Sequence, residues 1–228
     1  YAKSREASND ETKNTVGIKF VNGLLKKRLY SSPAAFASTL EKHVITVNAG
    51  GAEKKVTAIE ERILRKAMLK AEEDYANDED VEIAQGEAVE EVSKRTASFT
   101  AEQSALISDL RAWAQTAQHQ PDSKSEAICG WIKENLKDGG QWNSRRVILF
   151  TEYRTTQQWL EKILTENGFG GDRLSIINGG MDQEEREEVK AEFQTNPSDA
   201  KVRILLATDA ASEGIDLQNY CNYLIHLE

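Results

Sequence analysis

Hydrophobic residues recur at helical spacing over the first 140 positions and then give way to short continuous runs. Between Ile18 and His43, apolar side chains fall at Phe20, Leu24, Leu25, Leu29, Ala35, Phe36 and Leu40, a spacing that lines one face of a helix. Ser31-Ser32-Pro33 interrupts the pattern. Proline suits the first turn of a new helix and a preceding serine can cap it, so two helices with a corner at Ser32 are predicted. Val56, Ile59, Ile63, Leu64, Ala67, Met68 and Ala71 predict another. Thr100 with Gln103 three positions on forms a capping-box pattern, opening a helix through Leu106, Ile107, Leu110 and Trp113. After Pro121-Asp122-Ser123-Lys124, a helix bears Ala127, Ile128, Trp131, Ile132 and Leu136, and Gly139-Gly140 reads as its stop.

Beyond Gly140 the period changes. Val147–Thr151, Leu174–Ile177, Val202–Thr208 and Tyr223–Leu227 are short apolar runs, the first and last reading as buried strands. Between them lie helical patterns with Trp159, Leu160, Ile163 and Leu164 facing in before Gly168, and with Val189 and Phe193 facing in over Asp182–Gln194. Strand–helix alternation predicts an α/β fold, a parallel sheet flanked by helices, preceded by a mainly helical region. Right-handed crossovers place every strand's carboxyl end on one edge, where open parallel sheets bind ligands. The residues there are Thr151–Arg154, Asn178–Gly180 and Thr208–Asp216.

Charge changes this picture in one place. The chain carries a net charge of −9, yet residues 72–91 hold ten acidic side chains and no basic one, and without them the remainder is +1. One local run makes the chain acidic, so basic patches elsewhere stay possible. With so little apolar content, an acidic connector over about 72–98 is expected to be solvated; a regulatory segment mimicking nucleic acid is the alternative, with nothing specific in the sequence to support it. The predicted organisation is a helical region over 1–120 and a second domain over 121–228. No apolar run approaches the ~20 residues of a membrane span. Cys129 and Cys221 form no CxxC and read as reduced thiols of a cytoplasmic protein, and His43, His119 and His226 lack ligand spacing, so no metal site is expected.

The most informative segment is ILLATDAASEGIDLQ, residues 204–218. A buried strand delivers Thr208 and Asp209 to the edge, small residues then permit close backbone approach, and Gly214 allows a turn before Asp216. Backbone amides and hydroxyls in such a loop hold phosphate, while carboxylates hold sugar hydroxyls or a cationic partner. A strand ending in a turn capped by Asp209 is the competing reading. Lys26-Lys27-Arg28, on a helix, is a candidate phosphate grip; Arg145-Arg146 is a second basic pair. Trp142, in a polar loop, is the one tryptophan placed to stack on a base.

Taken with VILFTEYRTT (147–156) and INGGMDQEEREEVKAEF (177–193), that segment resembles the second RecA-like lobe of superfamily-two helicases, with the three stretches standing as motif IV, the helix after it and motif V. LLKKRLYSSPAAFASTLEKH (24–43) and PDSK (121–124) are similar to the region between the lobes in bacterial Swi/Snf-type ATPases. The resemblance implies a DNA-stimulated ATPase that moves along duplex DNA, its two lobes closing on one ATP with Mg²⁺. It implies phosphate contacts from Thr151 and Thr208, with ordinary strand-end capping as the competing role, nucleotide coupling by Glu213, Gly214 and Asp216, and an Arg186 that orients the Gly179-Gly180 loop or serves a salt bridge. No GxxxxGK[ST] occurs in the chain, so ATP and Mg²⁺ are expected to be bound mainly by an N-terminal lobe of the same protein. The family's QxxGRxxR motif belongs after the last strand, and the reading is of a fragment cut before it. Arginine fingers there are worth about 10³–10⁵ in rate, and the fragment alone is expected to hydrolyse no ATP. Rival readings are the same lobe from a restriction-system translocase or a strand-separating helicase, a non-catalytic RecA-like interaction scaffold, and an unrelated nucleotide- or sugar-binding α/β domain.

Overall fold

The computed structural model describes residues 1–8, 15–50, 58–71, 77–209 and 219–228. The chain divides into two compact units, residues 1–74 with 80–119 and residues 75–79 with 120–228.

The first unit is helical. It comprises α1 (Ala2–Ser8), α2 (Thr15–Ser31), α3 (Pro33–Gly50), α4 (Ala58–Ala71), α5 (Asp78–Ser93, whose first two residues fall in the second unit) and α6 (Ala101–Ala117). The predicted corner lies between α2 and α3, where Ser32 Oγ accepts from the Ala35 amide at 3.1 Å and Pro33 occupies the first turn. The capping box at Thr100 forms in full, with both reciprocal bonds to Gln103 at 3.2 Å. Val21, Leu24 and Leu25 of α2 pack with Phe36, Leu40 and Val44 of α3 and with Ile107 and Ala114 of α6. Each fully buried large aliphatic or aromatic side chain there contributes about 1.5–3 kcal/mol. Leu29, expected on the inner face, is instead exposed. Val56 lies outside the described residues.

The acidic stretch corrects the expectation of a solvated connector. Residues 78–93 form α5, and Ala84, Ala88, Val89 and Val92 are buried, with Val89 and Val92 inside the core cluster. The apolar residues are few and small, but they recur at helical spacing and make one narrow stripe. Carboxylates occupy the remaining faces, and Glu82 pairs with Arg28 at 3.2 Å. Val89→Ala is expected to destabilise this unit by about 2 kcal/mol in urea unfolding. A solvated connector would give no change.

A buried polar relay crosses the same core. Ser93 Oγ donates to Val89 O at 2.6 Å and pairs with His43 Nδ1 at 2.7 Å, while Tyr1 Oη lies 2.7 Å from His43 Nε2. With the serine proton committed to Val89 O, Nδ1 is the donor and Nε2 accepts from Tyr1, which is the neutral imidazole. Burial, helped by the Arg5 charge, lowers the His43 pKa from 6.5 to about 4. The folded state refuses the proton that the unfolded state accepts, so stability is complete above pH ~6.5 and falls as pH drops toward ~4. Between pH 7.5 and 5 the expected loss is about 2 kcal/mol, read as the difference in urea unfolding at the two values. His43→Gln removes that difference.

The second unit begins with α7 (Ser123–Asn135), capped by Asp122, whose side chain accepts from the Ser125 amide at 2.8 Å. Gly139-Gly140 does not stop this helix, which ends at Asn135. The pair forms the turn of a hairpin between β1 (Lys137–Asp138) and β2 (Gln141–Trp142), with φ of 57° and 85°. Two successive positive φ values are what a tight hairpin turn demands and what glycine supplies.

Then follow β3 (Val147–Thr151), α8 (Arg154–Glu166), β4 (Leu174–Ile177), α9 (Gln183–Gln194), β5 (Ile204–Thr208) and β6 (Tyr223–His226). The sheet is parallel throughout, in the order β4-β5-β3-β6, and its architecture is RecA-like α/β. Ile148 of β3, Ile177 of β4 and Leu205 and Ala207 of β5 pack with Phe193 of α9 on one face; α8 packs against β3 and β5. β3 and β5 lie inside the sheet and are almost wholly buried. β6, expected as a buried strand, is an edge strand among the described residues, with Leu224 61% exposed.

Buried arginines close the amino edge. Arg146 donates to Val202 O at 3.1 Å and to Phe193 O, and its guanidinium carbon lies 5.3 Å from the Phe193 ring centre. Burial lowers its pKa. Arg203 reaches the carbonyls of Asn143, Ala200 and Pro197 at 2.5–2.8 Å. The Arg145-Arg146 pair is therefore split, with Arg145 exposed and Arg146 structural. Among the described residues, no helix is long and apolar enough to cross a membrane.

Candidate functional site

Pairing in register brings the strand ends together: Thr151 of β3 lies opposite Thr208 of β5, and Ile177 of β4 opposite Ala207. Three loop origins thus share one edge. Thr151 is fully buried, and its hydroxyl donates to Tyr153 O at 3.0 Å while accepting from the Tyr153 amide at 3.1 Å. That closed two-residue turn aims the chain into α8. Both hydrogen-bonding capacities of Thr151 are spent locally, as strand-end capping requires.

Beneath the edge sits Gln157 of α8, fully buried. Its Nε2 donates to Ile177 O and to Leu206 O, both at 2.9 Å, and its Oε1 accepts from Arg154. The arginine fixes which way the carboxamide faces, so both amide protons point at the sheet. One side chain therefore ties the ends of β4 and β5.

Asp78, counted within the second unit and 3% exposed, meets the loop after β4 and the last residue of β5. Its Oδ2 accepts from the Gly179 amide at 2.8 Å and from the Thr208 hydroxyl. Asn178 Oδ1 accepts from the Gly180 amide at 3.0 Å. These carboxylate and carboxamide groups hold the Gly179-Gly180 loop. Arg186, expected to orient it, is half-buried on α9. On the other side of β3, His226 Nε2 lies 3.2 Å from Asp209 Oδ1, and its ring stacks on Phe150 with centres 6.1 Å apart.

Of the remaining candidates, Lys26 and Lys27 are exposed on α2 in the first unit. Arg28 corrects the three-residue phosphate grip: it is 4% exposed and donates to Gln85 at 2.8 Å and Glu82 at 3.2 Å of α5. Glu213, Gly214 and Asp216 lie outside the described residues. Trp142 is half-buried, edge-on to Phe169, with Lys137 Nζ 4.7 Å and the Arg173 guanidinium 5.6 Å from its ring centre. Its faces serve cations of its own chain. Among the described residues, no group of three His, Cys, Asp or Glu side chains is placed to hold a metal ion.

Sequence reasoning missed Asp78, Gln157 and His226. Asp78 stands 101 positions from Gly179 and 130 from Thr208, and no local pattern signals such a contact. Gln157 had a signal, a polar residue within the inward stripe of an amphipathic helix. Thr208→Val would strip the buried Asp78 carboxylate of one donor. The expected cost is about 1–3 kcal/mol in urea unfolding, larger than that of Thr208→Ser.

With this geometry in place, residues 126–228 match the family described as the helicase conserved C-terminal domain. A protein of Bacillus subtilis (strain 168) described as the uncharacterized ATP-dependent helicase YqhH is 36% identical over 83 residues, 36% of this chain and 13% of its own. The ATP-dependent RNA helicase FAL1 of Mycosarcoma maydis is 36% identical over 74 residues, 32% of this chain and 17% of its own. The ATP-dependent RNA helicase eIF4A of Schizosaccharomyces pombe is 37% identical over 73 residues, 32% and 17% of the two chains. The matched stretch thus spans well under a fifth of each of these relatives. No solved structure gives a significant match. Residues 126–228 are thus similar to a helicase conserved C-terminal domain, and the sheet they carry is of RecA-like α/β architecture.

Proposed function

We propose that residues 121–228 act as the second motor lobe of an ATP-dependent translocase of the bacterial Swi/Snf type, with duplex DNA as its track. The observation that carries this reading is the gathering of Thr151, Gly179, Gly180 and Thr208 on the carboxyl edge of a parallel sheet, in a segment similar to a helicase C-terminal domain. Of these groups the Gly179 amide and the Thr208 hydroxyl are donors of the kind that suit phosphate oxygens, while the Thr151 hydroxyl is spent on Tyr153. Lys26 and Lys27 add sequence-independent phosphate attraction. Glu213, Gly214 and Asp216 couple bound nucleotide to closure of the lobes.

The 228 residues contain no GxxxxGK[ST], the loop that cradles the phosphates of a nucleotide. In this reading ATP and Mg²⁺ are held mainly by the N-terminal RecA-like lobe of the full-length protein, which is this lobe's working partner. An RNA track is the second reading, favoured by the names of relatives described as RNA helicases.

Fluorescence anisotropy with labelled duplex DNA, single-stranded DNA and single-stranded RNA of equal length tests the track. The 228-residue chain is expected to prefer duplex DNA and to turn over no ATP. Reversing the charge of Lys26 and Lys27 should weaken binding at every sequence and lower the log–log salt slope by about 2. Preference for RNA moves the track to the second reading. Micromolar binding of ATP by the chain alone, without nucleic-acid affinity, would replace the motor lobe by a self-sufficient nucleotide-binding domain.

A further inference from the structure

At the carboxyl edge, two donors from different strands converge on one oxygen. The Gly179 amide follows β4 and the Thr208 hydroxyl ends β5, and both donate to Oδ2 of Asp78. Such a pair recognises a singly charged oxygen, and a carboxylate and a phosphodiester present the same kind of acceptor to it. Thr208 is fully buried and Asp78 almost so, so no outside ligand reaches the threonine hydroxyl while the aspartate stays. The aspartate is not consumed as a helix cap: Asn77 Oδ1 accepts from the Glu79 amide at 3.0 Å. Asn77 and Glu79 also flank Gly180, where an added Cβ would lie 3.5 Å from Asn77 Oδ1 and 3.9 Å from Glu79 Cδ. Residues 77–79 thus cover the Gly179-Gly180 loop and the end of β5 together.

We infer that Asp78 is a built-in stand-in for a nucleic-acid phosphate: its carboxylate occupies the donor pair of Gly179 and Thr208, and a nucleic-acid backbone engages those donors only by displacing it. This rests on the reading of the carboxyl edge as a nucleic-acid interface. The device is competitive. A ligand that must first expel an internal occupant binds more weakly by the ratio of occupied to vacated states. Charge-assisted hydrogen bonds of this kind are worth about one to two powers of ten in an equilibrium constant.

Anisotropy titrations of the 228-residue chain with fluorescein-labelled duplex DNA and single-stranded RNA test the inference, with Asp78→Asn, Asp78→Ser and Asp80→Asn alongside. Asp80, two residues further along α5, is exposed, so its variant removes the same charge without touching the donor pair. Circular dichroism melts establish which variants are folded, and the shorter serine side chain serves if asparagine unfolds the loop. The expected result is a gain of about tenfold or more in affinity for both Asp78 variants, against less than about twofold for Asp80→Asn. Unchanged or weaker binding by the Asp78 variants, with the wild type binding measurably, overturns the inference and leaves the interface standing. An equal gain from Asp80→Asn also overturns it, by reducing the effect to bulk charge. No binding by any of the four proteins at low salt overturns the interface itself.

Discussion

Parallel pairing of β3 with β5 on one side and β6 on the other is the constraint from which the second unit follows. A parallel ladder requires each strand to return to the same starting edge, and the helices between strands are the means of return. The register then decides what meets at the far edge. Because Thr151 faces Thr208 and Ile177 faces Ala207, every strand releases its chain at nearly the same height. Shifting one strand by a residue would turn its buried side chains to the wrong face, so the burial of β3 and β5 protects the alignment of the loops as much as it stabilises the sheet.

The two edges use polar groups in opposite ways. At the amino edge, Arg146 and Arg203 turn their guanidinium groups onto backbone carbonyls of the surrounding loops. Those cations are spent on architecture. At the carboxyl edge the main-chain amides and hydroxyls meet acceptors from carboxylate and carboxamide side chains. The electrostatic character of the lobe is thus set less by its formal charge than by which backbone groups each edge leaves to be satisfied.

Much of this was legible in sequence because it depended on neighbours in the chain. Continuous apolar runs marked β3 and β4 at their observed bounds, and Ser32, Thr100 and Asp182 sit at helix starts because capping is a three-residue affair. Gly139-Gly140 was misread because the same two residues serve a helix end and a hairpin turn, and only the pairing of β1 with β2 decides between them. α5 was hidden by composition: ten carboxylates drew attention from a stripe of small apolar residues whose periodicity was the real signal. Arg28 and Arg146 looked like surface charge because burial of an arginine depends on distant acceptors. Asp78 was beyond reach for the same reason, since nothing within a helical turn of it points to β4 or β5.

Gln157 gives the carboxyl edge a mechanical property. One carboxamide holds the carbonyls of Ile177 and Leu206, so prising the end of β4 from that of β5 breaks two bonds to the same group and strands its protons in a dry interior. The two strands are in effect yoked, with α8 as the crossbar. Displacement of the end of one strand is carried to the end of the other as a rigid shift instead of being absorbed by local fraying. Stiffness of that kind lets a small movement at one end of the edge arrive undiminished at the other.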